Sequence, residues 1–240
     1  MDNETLRLLH ARKSVRVYTD QPITPEEKQT ILAAAMRAPT AGNMMLYSII
    51  DVTDPALKQT LSETCDHQPF IAKAPMVLVF CADYRRWMNK FAACGCGDGK
   101  PVPPKEGSLL LANCDALIAA QTAVIAAESI GIGSCYIGDM LEQYETHQKL
   151  LHLPQYVVPA TMVVFGHPTE DQKNRRQLGR FDQDMIVFEN AYQDLNEAQA
   201  AHFADHLNIP AFYNRKHASA FSEEMNRSAR AILAAWNQED

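Results

Sequence analysis

The sequence predicts a single α+β domain, because its elements mix helices and strands without the strict alternation of a βαβ protein. The 240 residues are enough for one domain with a sizeable core, and 47% of them are hydrophobic. The continuous apolar run at 76–81 has the pattern of a central strand covered on both faces, and residues 160–165 are predicted to form another buried strand. A longer apolar stretch at about 108–130 predicts a helix in the same core.

The elements before residue 84 follow from local start and stop signals. Thr24 is a predicted N-cap, Pro25 fits the first turn and Glu27 closes a capping box, so a helix begins there and ends before Pro39. Residues 46–52 are predicted to form a strand. A proline one residue after Asp54 marks the start of the next helix.

From residue 84 onward, the sequence predicts further helices and strands separated by loops. Residues 84–107 have no clear period and are rich in glycine and proline, so we expect a variable excursion or lid. The helix at 108–130 is apolar on all its faces, which indicates the centre of the molecule or a subunit interface. Then come a strand at 134–137, a helix at 139–150, the strand at 160–165, a polar loop at 175–184, and amphipathic helices at about 196–207 and 222–236.

Charge and composition disfavour several classes of partner. The formal net charge of -7 argues against nucleic acid or an anionic membrane as the main partner. Polar residues interrupt the long apolar helix and disfavour a membrane span. The acidic amino terminus does not resemble a signal peptide, and six cysteines without such a signal indicate reduced thiols, so we expect a cytoplasmic protein.

A cluster of cations at residues 12–16 is the main candidate site. If this segment is extended, Arg12, Ser14 and Arg16 point to one side, and Val15 and Val17 to the other. Two guanidinium groups around a hydroxyl form a suitable receptor for a phosphate. We therefore predict a phosphorylated cofactor here, with the apolar side anchoring the strip.

Other reactive residues carry no comparable pattern. Cys94 and Cys96 are one residue apart, which does not reproduce the paired spacing of a zinc or iron–sulfur site, and we predict no metal site. None of the eight histidines lies in a zincin-like motif. Met44 and Met45 suit either a pliable substrate surface or core filling.

Four blocks, in order, resemble the nitroreductase family of FMN-dependent oxidoreductases, over about residues 4–192. The blocks are 12–16, 38–43, 126–138 and 165–168 followed by Arg180-Phe181. The sequences around Gln68, 80–83 and 189–192 look most like the branch of NADPH-preferring nitroreductases and flavin reductases. The resemblance implies a mostly antiparallel central sheet flanked by helices, in an intertwined homodimer. It implies one nitroreductase-like domain over 1–240. The excursion or lid at 84–107 and the helical tail at 193–240 are predictions from the sequence pattern alone, and the part at 92–107 has no counterpart in the family.

The resemblance also implies a set of FMN-binding residues. Within one chain, the phosphate, ribityl chain and ring would be held by Arg12, Lys13, Ser14, Arg16, Gln68, Tyr136, Ile137, Gly138 and Arg180. The partner subunit would contribute Pro39, Thr40, Ala41 and Asn43, because the family's flavin lies at the dimer interface. Arg180 would close on the phosphate, whereas Arg175 and Arg176 are interpreted as loop charges.

The predicted function is reduction of nitroaromatics, quinones or free flavin, with NADPH or NADH as donor, in a ping-pong cycle. No side chain is assigned as acid or base, since the flavin and solvent can supply protons. The chain departs from the family at Thr40 and Ala41, where a pair of serines is commoner, and at Met44 and Met45. Two alternatives remain: a specialised flavoenzyme of the same fold, dehalogenase-like or flavin-consuming, and a non-catalytic flavin-binding dimer.

Overall fold

The computed structural model describes residues 3–237. Two compact units are present: one combines the chain up to Arg175 with the chain from Met225 onward, and the other is Arg176–Glu224. The first unit contains the whole sheet and all the predicted site residues except Arg180. The second unit is helical.

A four-stranded sheet forms the centre of the first unit. Its strands are β1 (Tyr47–Asp51), β2 (Met76–Asp83), β3 (Gly133–Ile137) and β4 (Val157–Gly166). They lie in the order β1-β2-β4-β3, and every neighbouring pair is antiparallel. The predicted α+β class with an antiparallel sheet is therefore confirmed.

Helices surround the sheet and continue into the second unit. Those of the first unit are α1 (Glu4–Ala11), α2 (Pro25–Ala35), α3 (Pro55–Thr64), α4 (Pro69–Lys73), α5 (Arg85–Ala93), α6 (Glu106–Ser129), α7 (Tyr144–Leu150) and α8 (Glu170–Asn174). The second unit contains α9 (Glu197–His202) and α10 (Ile209–Lys216), and α11 (Ala220–Asn237) starts there and ends in the first unit.

Strand β2 shows how the sheet builds two cores. All eight of its residues are buried. Leu78 and Phe80 pack with the alanines of α6, whereas Val77 and Val79 pack with Leu61 of α3 and its neighbours. A strand exposes alternate side chains to opposite faces, so the continuous apolar run serves a layer of helices on each side.

Helix α2 begins as its capping signals predict. Thr24 accepts a hydrogen bond from the backbone of Glu27, and the Glu27 side chain accepts one from the backbone of Thr24. These reciprocal bonds satisfy donors that have no partner inside the helix.

Helix α6, for which the sequence predicts the centre of the molecule or a subunit interface, is buried in the first unit on one face only. One face packs on the sheet and is built from alanines, but the opposite face exposes Leu110, Leu111, Leu117 and Ile118. By length and composition alone α6 could cross a membrane, as the core helix of a globular unit also can. The sequence predicted the apolar character correctly, and only the packing of residues 3–237 reveals which face stays exposed.

Two further expectations were wrong in detail. Residues 85–93, which have no clear sequence period, form helix α5. The helix predicted over 139–150 is interrupted: a 3-10 turn covers Gly138–Leu141, and α7 starts only after Gln143, whose φ is 47°. A positive φ in a residue other than glycine breaks the helical path.

Candidate functional site

The cation strip lies along the open edge of β3. The backbone N–H of Val15 donates to the carbonyl of Ser134 at 2.8 Å, and Ser14 forms an isolated parallel bridge with Ser134. Val15 is 4% exposed and packs against Gly133, where an added Cβ would lie 2.5 Å from Val15 Cγ2. Val15 therefore anchors the strip on β3, and this close contact requires a glycine at position 133.

Val17 does not share that anchor, contrary to the predicted alternation. It is 53% exposed, whereas the next contact with the sheet edge is made by Tyr18, which bridges Pro168 and lies against Gly166. The hydroxyl of Tyr18 donates to the carbonyl of Val15 at 3.1 Å. Buried Val15 and half-buried Tyr18 are three residues apart, so the strip is not a regular strand over its whole length.

The segment at 173–175 holds the strip from its other side. The Lys13 ammonium donates to the carbonyls of Lys173 at 2.5 Å and Arg175 at 2.7 Å. The Arg175 guanidinium in turn donates to the carbonyl of Ser14 at 2.5 Å. Arg175, interpreted from sequence as a loop charge, is thus a fourth cation beside Arg12, Lys13 and Arg16.

The start of α4 contacts both the cation strip and the end of β3. The Arg16 guanidinium lies over the ring of Phe70, 5.8 Å from its centroid. The Gln68 side-chain amide donates to the carbonyl of Cys65 at 2.8 Å and to Asp139 Oδ2 at 3.0 Å. Asp139 directly follows Gly138, so Gln68 is tied to the end of β3.

Tyr136, Ile137 and Gly138 form that end. The Tyr136 hydroxyl donates to Gln121 of α6 at 3.3 Å; burial raises the pKa of Tyr136 to about 12, and the positive charge of Arg12 opposes the rise. Ile137 is buried in the core. A Cβ added at Gly138 would meet no atom of residues 3–237 within 4 Å, so these residues leave open space beside the backbone. The structure therefore gathers Arg12, Gln68 and the end of β3 in one region.

Glu128 of α6 joins this region and was not singled out from the sequence. Burial raises the pKa of Glu128 to about 7, against the opposing charges of Arg12 and Lys13. Its Oε1 is buried and has no hydrogen-bond partner among the residues that the structure describes. Glu128 and Lys13 line a cavity of about 260 Å³ together with Val15 and Gly133.

The second predicted block, at 39–43, is organised elsewhere by Asp115 of α6. Thr40 Oγ1 donates to Asp115 Oδ2 at 2.5 Å, and the backbone N–H groups of Ala41 and Leu46 donate to the same carboxylate at 2.9 Å and 3.0 Å. Asp115 is 2% exposed. Three donors stabilise this buried charge and fix the path of the loop.

The turn after Ala41 needs left-handed backbone. Gly42 and Asn43 have φ values of 55° and 58°, a region that glycine and asparagine adopt most readily. Pro39 precedes Thr40, which is extended. The Gly42-Asn43 pair therefore permits the tight turn at the end of the block at 39–43.

The two blocks do not meet within one chain. From Asp115 to Glu128 is 13 residues along α6, which corresponds to about 20 Å at 1.5 Å per residue. Between these positions α6 exposes Leu117 and Ile118. A ligand that touches both blocks must therefore be shared with another copy of the chain or span that distance.

Arg180 lies in the second unit. Its guanidinium donates to the carbonyls of Leu178 at 3.3 Å and Gly179 at 3.1 Å. In the same unit, the rings of Phe181 and Phe203 are 4.7 Å apart. The assignment of Arg180 to a phosphate stays a prediction.

Asp115 and Glu128 could have been recognised from the sequence. Each is an acidic residue inside a helix that is otherwise alanine-rich and apolar. Buried carboxylates are rare unless they have partners, so such a position predicts a structural or functional contact. Arg175 had no comparable signal, because loop arginines are common.

Comparison with known proteins places this arrangement in context. The sequence profile of the nitroreductase family matches residues 9–167. The chain is 32% identical to an oxygen-insensitive NADPH nitroreductase of Salmonella typhimurium, covering 85% of this chain and 80% of that protein. It is 34% identical to an FMN reductase [NAD(P)H] of Bacillus subtilis, with 81% and 77% covered. The crystal structure of nitroreductase A from Vibrio parahaemolyticus is 28% identical with a TM-score of 0.79, and 99% and 97% are covered.

Proposed function

Because this chain belongs to the nitroreductase family, we infer that it is an NAD(P)H-dependent oxidoreductase that uses FMN as its bound cofactor. The relatives are named for reduction of nitro compounds and of FMN, with NADPH or NAD(P)H as donor. The single structural observation that carries the proposal is the cation strip anchored on β3 beside the open space at Gly138.

The chemistry of the donor set suits FMN. Arg12, Lys13 and Ser14 offer guanidinium, ammonium and hydroxyl donors for a phosphate, and Arg175 adds a guanidinium that is bound to the Ser14 carbonyl. We place the phosphate at this strip. Arg16 and Gln68 would contact the ribityl chain and the polar edge of the ring.

The isoalloxazine would lie along Tyr136, Ile137 and Gly138. Absence of a side chain at Gly138 lets a flat ring approach the backbone closely. Bound FMN would supply hydride and electron transfer, whereas the protein provides orientation, positive charge and exclusion of water.

The exposed face of α6 supports a homodimer. Leu117 and Ile118 stand at the midpoint of the 24-residue helix, and an exposed apolar face of this kind is typical of an interface. If two copies of α6 pack antiparallel about that midpoint, positions at equal distance from it face each other. The loop held by Asp115 in one copy would then lie opposite Ala120 of the other, one residue before Gln121, which accepts a hydrogen bond from Tyr136.

This arrangement would bring the two blocks together in one shared site. Pro39, Thr40, Ala41 and Asn43 of one copy would complete the site whose cation strip belongs to the other. The second unit supports the same assembly: among its described residues only Ala204 is a buried hydrophobic, while large exposed side chains are Leu178, Phe181, Ile186, Val187, Tyr192, Phe203, Ile209, Phe212 and Tyr213.

We further propose a ping-pong cycle, in which the nicotinamide leaves before a flat nitroaromatic, quinone or flavin acceptor enters the same space. Initial rates at several fixed acceptor concentrations test the cycle. Parallel double-reciprocal lines are expected, and intersecting lines would contradict it.

We also propose a cytoplasmic location. All six cysteines are free thiols, which supports a reducing compartment.

Cofactor binding is tested by the visible spectrum and by titration with FMN. We expect a yellow protein, and we expect Arg12→Ala to weaken FMN binding about tenfold or more, since a charge-assisted hydrogen bond is lost. Arg230→Ala is the matched control, because Arg230 is an exposed arginine on α11. Equal FMN affinity in both variants, or a colourless protein that ignores FMN, would refute the site.

The interface is tested by placing a charge in it. Leu117→Glu should convert the dimer to monomer in analytical ultracentrifugation and should remove most bound FMN, because a site shared between copies is lost. Leu233→Glu changes a comparably exposed leucine on α11 and should leave the dimer intact. A stable dimer of Leu117→Glu would contradict the proposed packing.

A further inference from the structure

A carboxyl group lies at the end of α6 where an ionised acid is least favoured. Glu128 belongs to the last turn of this helix, one residue before its end at Ser129. The partial negative charge at a helix C-terminus opposes a carboxylate there. The side chain is also half-buried, and its Oε1 is buried with no hydrogen-bond partner within residues 3–237. Two local effects therefore disfavour the charged form of Glu128.

A short segment connects Glu128 to the support of the cation strip. The N–H of Gly131, whose φ is 79°, donates to the carbonyl of Glu128 at 3.1 Å, and β3 begins at Gly133. Ser134 then accepts the hydrogen bond from Val15 that holds the strip. The last turn of α6 and the strip are therefore supported by the same few residues.

Glu128 also shares its cavity of about 260 Å³ with cations. Among the described residues that line it, Lys13 and Lys173 are cationic and Glu128 is the one acid. Lys173 is paired with Glu170 at 2.6 Å. The Lys13 ammonium is bound to the carbonyls of Lys173 and Arg175, which accept hydrogen bonds but carry no net charge. Glu128 is therefore the acid of this lining that can offset the charge of Lys13.

The charges of the strip and of Glu128 act on each other. Arg12 and Lys13 favour the ionised carboxylate, but burial outweighs them and raises the pKa of Glu128 to about 7. Near neutral pH both forms are therefore populated. Because the coupling is reciprocal, an ionised Glu128 lowers the positive potential around Arg12 and Lys13, whereas a neutral one leaves it intact.

This coupling bears on any phosphate at the strip. A phosphate monoester carries about 1.5 to 2 negative charges at pH 7. An ionised Glu128 repels that anion and competes with it for Arg12 and Lys13. Binding of the phosphate must in turn raise the pKa of Glu128, by the same free energy. At an effective dielectric constant of about 20, one charge about 12 Å away raises a pKa by about one unit.

We propose that Glu128 is a positioning residue that links FMN retention to pH: the protein holds FMN tightly while this carboxyl is protonated and less tightly once it ionises. Glu128 acts through Arg12 and Lys13. The link rests on the proposed function, since it takes the cation strip as the phosphate site.

Other titratable groups around the strip do not reproduce this effect. On β3, burial raises the pKa of Cys135, and that of Tyr136 to about 12. Lysine, arginine and exposed acidic side chains, such as those of α8, do not change charge between pH 6 and pH 8.5. His10 of α1 is exposed, and a histidine and the FMN phosphate both titrate near pH 6. A variant that changes Glu128 alone cancels these contributions.

The affinity for FMN, measured by flavin fluorescence from pH 6 to pH 8.5, tests the link. At pH 6, where Glu128 is mostly neutral, the wild type and Glu128→Gln should bind FMN about equally. At pH 8.5 Glu128→Gln should bind about eightfold more tightly, which corresponds to a rise of about one pKa unit on binding. Loss of a merely structural contact would instead weaken binding at every pH.

Glu170→Gln is the matched control. It removes an exposed carboxylate paired with Lys173, so it changes the charge near the strip by the same amount as ionisation of Glu128 does. An exposed carboxylate is ionised throughout this range. The ratio of the FMN dissociation constants of Glu170→Gln and the wild type should therefore be the same at every pH.

Proton uptake gives a second measurement that does not depend on the affinities. Isothermal titration calorimetry in buffers of different ionisation enthalpy counts the protons bound with FMN. At pH 7.5 the wild type should take up about half a proton more than Glu128→Gln. Equal uptake, or a ratio of dissociation constants that stays constant with pH, would overturn the link and leave the FMN site intact. A wild type that binds no FMN at any pH would overturn the link and the proposed function together.

Discussion

Replacement of Glu128 by glutamine should remove a pH dependence of stability that this one carboxyl creates. Its pKa is raised from 4.5 to about 7, chiefly by burial, although Arg12 and Lys13 oppose the rise. Glutamine keeps the shape of the side chain and cannot ionise. The variant therefore isolates the free energy that the folded protein loses when Glu128 becomes charged.

The sign follows from proton binding in the two states. Because the folded pKa is the higher one, the folded state holds more protons than the unfolded state between pH 4.5 and about 7. The favourable contribution of neutral Glu128 is complete below pH 4.5 and is lost as the pH rises through about 7. The wild type should thus lose stability, relative to Glu128→Gln, across this window.

The magnitude is set by the size of the rise and by solvent screening. From 4.5 to about 7 corresponds to about 3 kcal/mol at about 1.4 kcal/mol per pKa unit. Glu128 is only partly buried, so we halve this to about 1.5 kcal/mol. The free energy of unfolding of Glu128→Gln minus that of the wild type should increase by this amount between pH 5 and pH 8.

Urea unfolding of the FMN-free protein at pH 5, 6, 7 and 8 measures the difference. Glu189→Gln is the matched control, because Glu189 is exposed, and its difference from the wild type should stay nearly constant. A Glu128→Gln difference that does not change with pH would refute the reasoning.

Two further variants test the supports of the two blocks. Gly133→Ala places a Cβ 2.5 Å from Val15 Cγ2 and should lower the free energy of unfolding by about 1–3 kcal/mol. Gly107→Ala is the control and should be neutral or stabilising, because the added Cβ meets no described atom within 4 Å. Equal melting temperatures of the two variants would contradict this prediction. Asp115→Asn replaces an acceptor of three hydrogen bonds and should lower the free energy of unfolding in urea by about 1–3 kcal/mol. Asp98→Asn changes an exposed aspartate and should lower it little. Similar losses in both variants would show that the loop at 39–43 does not depend on the Asp115 carboxylate.

Local chemistry made much of the fold predictable. The capping box of α2 and the apolar runs of β2 and β4 act over a few residues, so their elements can be read directly from the chain. Helix α5 lacked such a signal. Its Arg86 and Trp87 bond to carbonyls of residues some forty positions earlier, and no local pattern reveals such partners.

The site shows the same division. The sequence identified a cation strip at 12–16 and a Gly-Asn turn at 42–43, because charge, glycine and proline have direct local consequences. Strand alternation did not correctly predict which side chains of the strip are buried. Val17 is exposed since the strip contacts the sheet edge at Val15 and again at Tyr18.

By itself, then, the sequence determined the class of fold, the positions of most elements and the type of ligand that the cations favour. The tertiary structure decided that Asp115 and Glu128 of one helix serve two separate blocks about 20 Å apart. It also decided that α6 keeps an exposed apolar face. The physical reason is that capping and periodicity act between near neighbours, whereas burial and long-range hydrogen bonds exist only after distant segments have packed together.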